Sequence, residues 1–315
     1  MSGESVYNQV LSQHRQTLDR IIERGSVDRL RRVYDRAANE LLRKLENVGG
    51  RGTFTDMQQR RMLAQLMAGQ IHMSDEMTDT LASSTREAQV DSLHSLVRGY
   101  KKLEKHFTGL TPTLPIEEMA RFSGVIDKRR ASLLQQHRSS MRNYGKALVT
   151  DIREELAVSL GMGENFDATI KRVQKTMGGE WWQAERICRT ETAWASSVAH
   201  IDGIVEVAKD DPEIMQQWIE FCGPDGRPLD DRVGVDSIAM HGQVTKPGGV
   251  FTMPATAPYP DAKGNTKVSD SLVGKSWAAP PCRPNGRETV APWRKDWGTP
   301  GWEYRDGRRH WLVRP

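Results

Sequence analysis

The sequence predicts an α+β protein. Its N-terminal two-thirds is mainly α-helical, built of long helices that form a bundle or an elongated array, and a small irregular or β module follows at the C-terminal end. Two observations predict this. Only Pro112 and Pro115 precede residue 200, and the other 13 of 15 prolines follow it. Proline removes a backbone donor and breaks helix interiors, so the first stretch can be continuously helical and the last cannot. Tryptophan leans the same way, with 6 of 9 from Trp218 onward. The change falls near Asp210-Asp211-Pro212 and divides the chain into a long-helix region (1–110), a helical region leading into an Arg-Thr-Glu helix (111–210) and a Pro/Trp-rich module with a basic aromatic tail (211–315).

Each element follows from local pattern. Leu18, Ile21, Ile22, Leu30, Val33, Ala37, Leu41 and Leu45 recur at three- and four-residue steps, which makes one helical stripe. Gly49-Gly50-Arg51-Gly52 ends it. Thr55-Asp56 supplies the N-cap of a second helix through Met62, Leu66 and Met73. A break is expected at Met73-Ser74-Asp75 before the stripe resumes at Leu81, Val90, Leu93 and Leu96. Residues 109–115 read as a turn, 126–160 as a long helix stopped by Gly161-Met162-Gly163, and 166–177 and 180–208 as two shorter helices. Met57, Met62, Met67, Met73 and Met77 fit ordinary core filling, with an adaptable binding face as the alternative. Beyond the boundary, 216–221 and 250–253 are strand candidates, and Gly223-Pro224-Asp225-Gly226 is turn chemistry.

Composition excludes several classes. No apolar run reaches the roughly 18 residues of a membrane span, and the polar start of the chain lacks a signal-peptide core. A soluble protein made in a cytoplasm is expected. Three scattered cysteines cannot build a disulfide framework. The net charge of +4 is modest for a protein that clamps duplex DNA. The stretch from Arg283 to Pro315 nevertheless carries 8 Lys/Arg against 4 Asp/Glu, a net of 8 − 4 = +4, interleaved with Trp293, Trp297, Trp302, Tyr304 and Trp311. Arg294, Trp297, Trp302, Arg305, Arg308, Arg309 and Trp311 are therefore candidates for contact with a protein partner or with DNA.

Three short signatures occur in order: Arg189-Thr190-Glu191 late in a helix; Trp218 followed by Asp231-Arg232 and His241-Gly242; and Pro280-Pro281-Cys282-Arg283-Pro284-Asn285-Gly286-Arg287. Arg189 and Glu191 point about 200° apart on a helix and cannot pair with each other. One of them is expected to bond a charged group of the C-terminal module, with Asp231 and Arg232 as nearest candidates. The proline-rich element, with its Asn285-Gly286 turn, is expected to be a rigid loop pinned under Trp277 or Trp293. Cys222, His241 and Cys282, with Asp231 as a fourth ligand, form a weak zinc alternative whose spacing lacks the usual close pairs. His241 reads better as a hydrogen-bonded structural histidine.

In this order and spacing the signatures resemble the Mu F-like family of phage head morphogenesis, or minor head, proteins over about residues 165–293. Two departures are visible. The polar-His step after Asp231-Arg232 is stretched to His241, and Gly286 stands where the family's cysteine follows the asparagine. The resemblance implies an assembly role with Pro281, Cys282, Pro284, Asn285 and Arg287 as motif residues. It implies few copies per virion, location in the head at the portal vertex, contact with the portal protein and with major capsid or scaffolding protein, and an influence on genome packaging or ejection. No catalytic role, cofactor, membrane or small-molecule substrate is implied. DNA binding through the tail is the alternative. An ADP-ribosyltransferase-like or protease activity is the remoter one, since no phosphate-binding loop or nucleophile elbow is present.

Overall fold

The computed structural model describes residues 3–49, 52–109, 116–220 and 231–297, with the backbone of 302–305 and 308–311. The expected α+β class is what it shows. Helices α1 (Gly3–Arg20), α2 (Asp28–Glu46), α3 (Asp56–Thr108), α4 (Ile116–Gly161) and α5 (Phe166–Val207) occupy the first two-thirds, and a π-helical segment, Ile21–Val27, joins α1 to α2.

Side-chain chemistry sets the helix ends. Thr55 and Gln58 form a reciprocal cap at the start of α3: the Thr55 backbone N–H donates to Gln58 Oε1 at 2.9 Å, and the Gln58 N–H donates to Thr55 Oγ1 at 3.4 Å. Asn165 caps α5, accepting from the Ala168 N–H at 2.8 Å. In the interiors, two expected breaks are absent. Helix α3 runs unbroken through Met73-Ser74-Asp75 because Met73, Ser74, Met77 and Thr78 are all buried, and the Thr78 hydroxyl is satisfied by the Ser74 carbonyl at 2.7 Å. Helix α5 passes through Gly178-Gly179 without interruption, held on its inner side by Met177 and Trp181, both buried. Burial of the stripe outweighs the helix cost of serine and glycine. Of the five methionines, Met62, Met73 and Met77 are core and Met57 and Met67 are exposed.

The chain folds as two compact units. One gathers Met1–Ile22, Thr85–Arg130 and Thr190–Pro315; the other gathers Glu23–Ser84 and Ala131–Arg189. Neither is a consecutive stretch, and each of the three segments read from composition contributes to the first.

The second unit is helical. Leu30, Tyr34, Ala38, Leu41 and Leu45 of α2 are buried at helical spacing. Tyr34 packs its ring 5.2 Å from Trp181 and donates its hydroxyl to the Met177 carbonyl. Gly145 of α4 marks a close approach: a Cβ there would stand 2.5 Å from Ser74 Oγ and 2.6 Å from Gln70 Nε2.

The first unit packs helix against sheet. Strands β1 (Met215–Ile219), β2 (Val244–Thr245) and β5 (Thr289–Trp293) form an antiparallel sheet in the order β2-β1-β5, with Gln217 opposite Val244 on one side and Trp218 opposite Val290 on the other. Between β1 and β2 lies the short helix α6 (Val235–Met240), and β3 (Phe251–Thr252) pairs with β4 (Ser276–Trp277). The strands are short, and glutamine amides extend the bonding where ladders stop. Gln216 takes the N–H of Gly248 at 3.1 Å and gives its own to the Gly249 carbonyl at 2.9 Å; Gln243 does the same with Thr252, at 3.2 and 2.9 Å. Val198, Ile201 and Ile204 of α5, Leu96 and Leu103 of α3 and Val10 of α1 join Trp218, Ile238, Phe251 and Val290 in one core. The backbone of β6 (Trp302–Arg305) and β7 (Arg308–Trp311) forms a separate hairpin.

Candidate functional site

Apart from Arg189, which ends a segment of the second unit, the three signatures lie within the first unit, and hydrogen bonds join them. Thr190, early in this unit's share of α5, accepts the Asn285 backbone N–H on its hydroxyl at 3.1 Å. Asn285 takes a φ of 62°, a conformation asparagine tolerates better than most residues. The second signature closes on itself around β1. Trp218 is fully buried with its ring edge-on to Phe251 at 5.1 Å; its carbonyl accepts the Gly242 N–H at 2.9 Å, and its N–H goes to the Gln243 carbonyl at 2.9 Å. His241 Nδ1 accepts the Glu220 N–H at 3.1 Å, so this histidine is a structural one.

The proline-rich element wraps around a buried carboxyl group that sequence reading missed. Glu288, with no exposure, accepts the Ser237 hydroxyl at 2.6 Å and the Cys282 thiol at 3.2 Å, both on Oε1. Its Oε2 lies against Gly286, where a Cβ would sit 1.9 Å away, so no side chain fits at 286. Glycine at this position therefore has a local steric reason. Arg283 spans to α6, reaching Asp236 at 3.3 Å and the Arg232 carbonyl at 3.3 Å. Polar contacts hold this loop, and Cys282 and Trp277 pack against the hydrophobic core that contains Trp293. The Pro280-Pro281 bond is cis.

These groups do not form a nucleophile. Burial first, then the Glu288 carboxylate, with Asp236 and Glu220 behind it, push the Cys282 thiol up from its usual range, which keeps it protonated at neutral pH. Among the described residues, no three His, Cys, Asp or Glu side chains converge as metal ligands. Cys222, a member of the zinc alternative, lies outside the described residues.

Two expectations need correcting. Arg189 does not reach the C-terminal module. Its guanidinium grips Glu23 in the two-bond manner, at 3.0 and 2.9 Å, and also meets Glu185 at 2.8 Å. Thr190, with the smaller side chain, makes a link to the module through Asn285, while Glu191 is buried and Asp231 and Arg232 are exposed. Arg294 and Trp297, named as candidates for partner or DNA contact, are used internally. Arg294 lies between Glu104 and Asp211, at 3.0 and 3.1 Å, and Trp297 is buried beside Phe107 and Tyr100. The side chains of Trp302, Arg305, Arg308, Arg309 and Trp311 lie outside the described residues.

A second buried polar group, also missed, fastens the helices to the sheet. His200 of α5 places Nδ1 2.8 Å from the Val290 carbonyl and Nε2 2.9 Å from the Ser92 carbonyl. A neutral ring has one N–H for two acceptors; Thr289 Oγ1, 3.3 Å from Nδ1, can donate to the other nitrogen. Burial overrides the pull of both carbonyls and lowers His200 to about 4. His14 of α1, ring centroid 5.0 Å away and 2.8 Å from Ser95 Oγ, is likewise held well below the usual histidine range by burial, then by His200 and Arg98. The helical spacing of His200 with Val198, Ile201 and Ile204 signals its inward direction. Nothing comparable announces Glu288. No family model, curated protein or solved structure matches the chain.

Proposed function

We propose that this protein is an assembly component of a viral head, similar to the Mu F-like minor head proteins, that works at the portal vertex by holding other proteins. The observation that carries the reading is the hydrogen bond between Thr190 and Asn285, which joins the first signature to the third, with the second knitted around Trp218 in the same unit. Signatures far apart in sequence thus belong to one local construction, as a docking module requires. The chemistry supports holding rather than turnover: the cysteine is kept protonated, and the buried carboxyl group ties the proline-rich loop to α6 through Cys282 and Ser237.

The test is composition and position. Mass spectrometry of purified heads and procapsids is expected to find the chain at few copies, and an asymmetric density map is expected to place it against the portal ring. Absence from both particles would end the proposal. DNA binding through the tail is the second reading, favoured by the β6–β7 register that sets Arg305 opposite Arg308, since like charges in that position call for a counter-charge. Duplex affinity that falls steeply with salt and disappears when residues 298–315 are removed would move the assignment to that reading.

A further inference from the structure

Helix α5 carries a second surface, in the other unit, whose residues the fold does not explain. Lys171, Gln174, Lys175, Gly178, Gly179, Trp182 and Arg186 are all exposed. At 100° per residue they fall on one stripe about 140° wide and about 22 Å long. Val173, Met177, Trp181, Ala184 and Cys188, all buried, point the opposite way. Trp182 stands in the middle of the stripe, 52% exposed, with the Arg186 guanidinium 5.3 Å from its ring centroid. A tryptophan facing water costs solubility and adds nothing to this core.

The glycines sharpen the point. Glycine is the poorest helix former after proline, and two stand side by side in the interior of a 42-residue helix. At Gly145 a side chain would collide with α3, so glycine is required there. At Gly178 and Gly179 a Cβ would meet nothing within 4 Å. The protein's own packing therefore asks for no glycine at either position. Their effect is to leave bare backbone beside an exposed tryptophan, a shallow dip into which another backbone can settle.

We infer that this stripe is the docking face for an acidic, amphipathic helical segment of a partner protein. The charge is complementary: Lys171, Lys175 and Arg186 lie along the stripe, and the half-buried Glu185 within the same band is paired with Arg189 at 2.8 Å. Tryptophan and arginine are the residues that most often anchor interfaces, and small residues let helices approach closely. Duplex DNA fits less well, because three cations neutralise few phosphates and the dip offers nothing to a phosphate backbone. The inference stands on these residues and does not require the viral assignment.

The experiment uses the full chain and a fluorescent acidic amphipathic helical peptide of about five turns, read by anisotropy. Its lysine-substituted counterpart and a short duplex DNA serve as the other probes. The acidic peptide is expected to bind and the lysine peptide not. Trp182→Ala is expected to weaken binding about tenfold or more. Gly178→Gln with Gly179→Gln is expected to raise the melting temperature by a few degrees, through better helix propensity, while weakening the peptide about tenfold. A purely structural role for the glycines would move stability the other way. Failure of the acidic peptide to bind, equal binding by wild type and both variants, or duplex binding that depends on Trp182 would each overturn the docking face.

Discussion

At the scale of single residues, the chain places charge where a helix-to-sheet junction needs it. Arg294 holds Glu104 and Asp211 together at low exposure, and the Tyr100 hydroxyl adds a bond to Asp211 at 3.1 Å. An unpaired carboxylate there would be expensive. His200 makes the opposite choice and stays neutral. Its folded value of about 4 lies below the unfolded value near 6.5, so the unfolded chain binds the extra proton between those limits. The stabilisation is complete above about pH 6.5 and is lost as pH falls toward 4, by about 3 kcal/mol over that window. Urea unfolding across this range is expected to show that slope in the wild type and a shallower one in His200→Gln, with the remainder from His14. Equal slopes would show that the ring is solvated. His200 could be read from helical spacing, whereas the two carbonyls that frame it come from a distant helix and a distant strand, which no local pattern encodes.

Among elements, the lesson is how burial overrules propensity. Met73-Ser74-Asp75 and Gly178-Gly179 both read as breaks, yet α3 and α5 continue, because polar and flexible residues at isolated positions cost less than the buried stripe on the other face gains. The strands posed the reverse difficulty. The two candidates exist, but two of their three partners, β2 and β4, have two residues each, too short to leave a periodic signal. The close pass of α4 over α3 yields a prediction at this scale. Gly145→Val places side-chain atoms where Ser74 and Gln70 stand, and a loss of about 2 kcal/mol in chemical denaturation is expected from overpacking. A variant as stable as wild type would show that the two helices separate easily there.

For the whole molecule, the proline boundary at Asp210-Asp211-Pro212 is a real end of helix, with α5 stopping at Val207, but it is not a boundary of compact packing. Sequence separates α from β, while burial gathers α1, part of α3, part of α5 and the small module into a single core. Trp297 finds Tyr100 and Phe107, and Val290 finds His200, all before the boundary. Residues 211–315 produced alone are therefore expected to show no cooperative thermal transition by circular dichroism. A sharp transition would mean that the module is self-sufficient.

The interleaving of the first unit also governs how the protein can be made. During synthesis α1 emerges before the other elements of its unit, yet the histidine it contributes rests beside a ring that is fastened to β5, the last strand of its sheet to be made. The helical unit can close once Arg189 is out. The other must wait for the final strand of its sheet, so a product stalled before β5 carries α1 with nowhere to bury its apolar face, a natural target for chaperones and proteases.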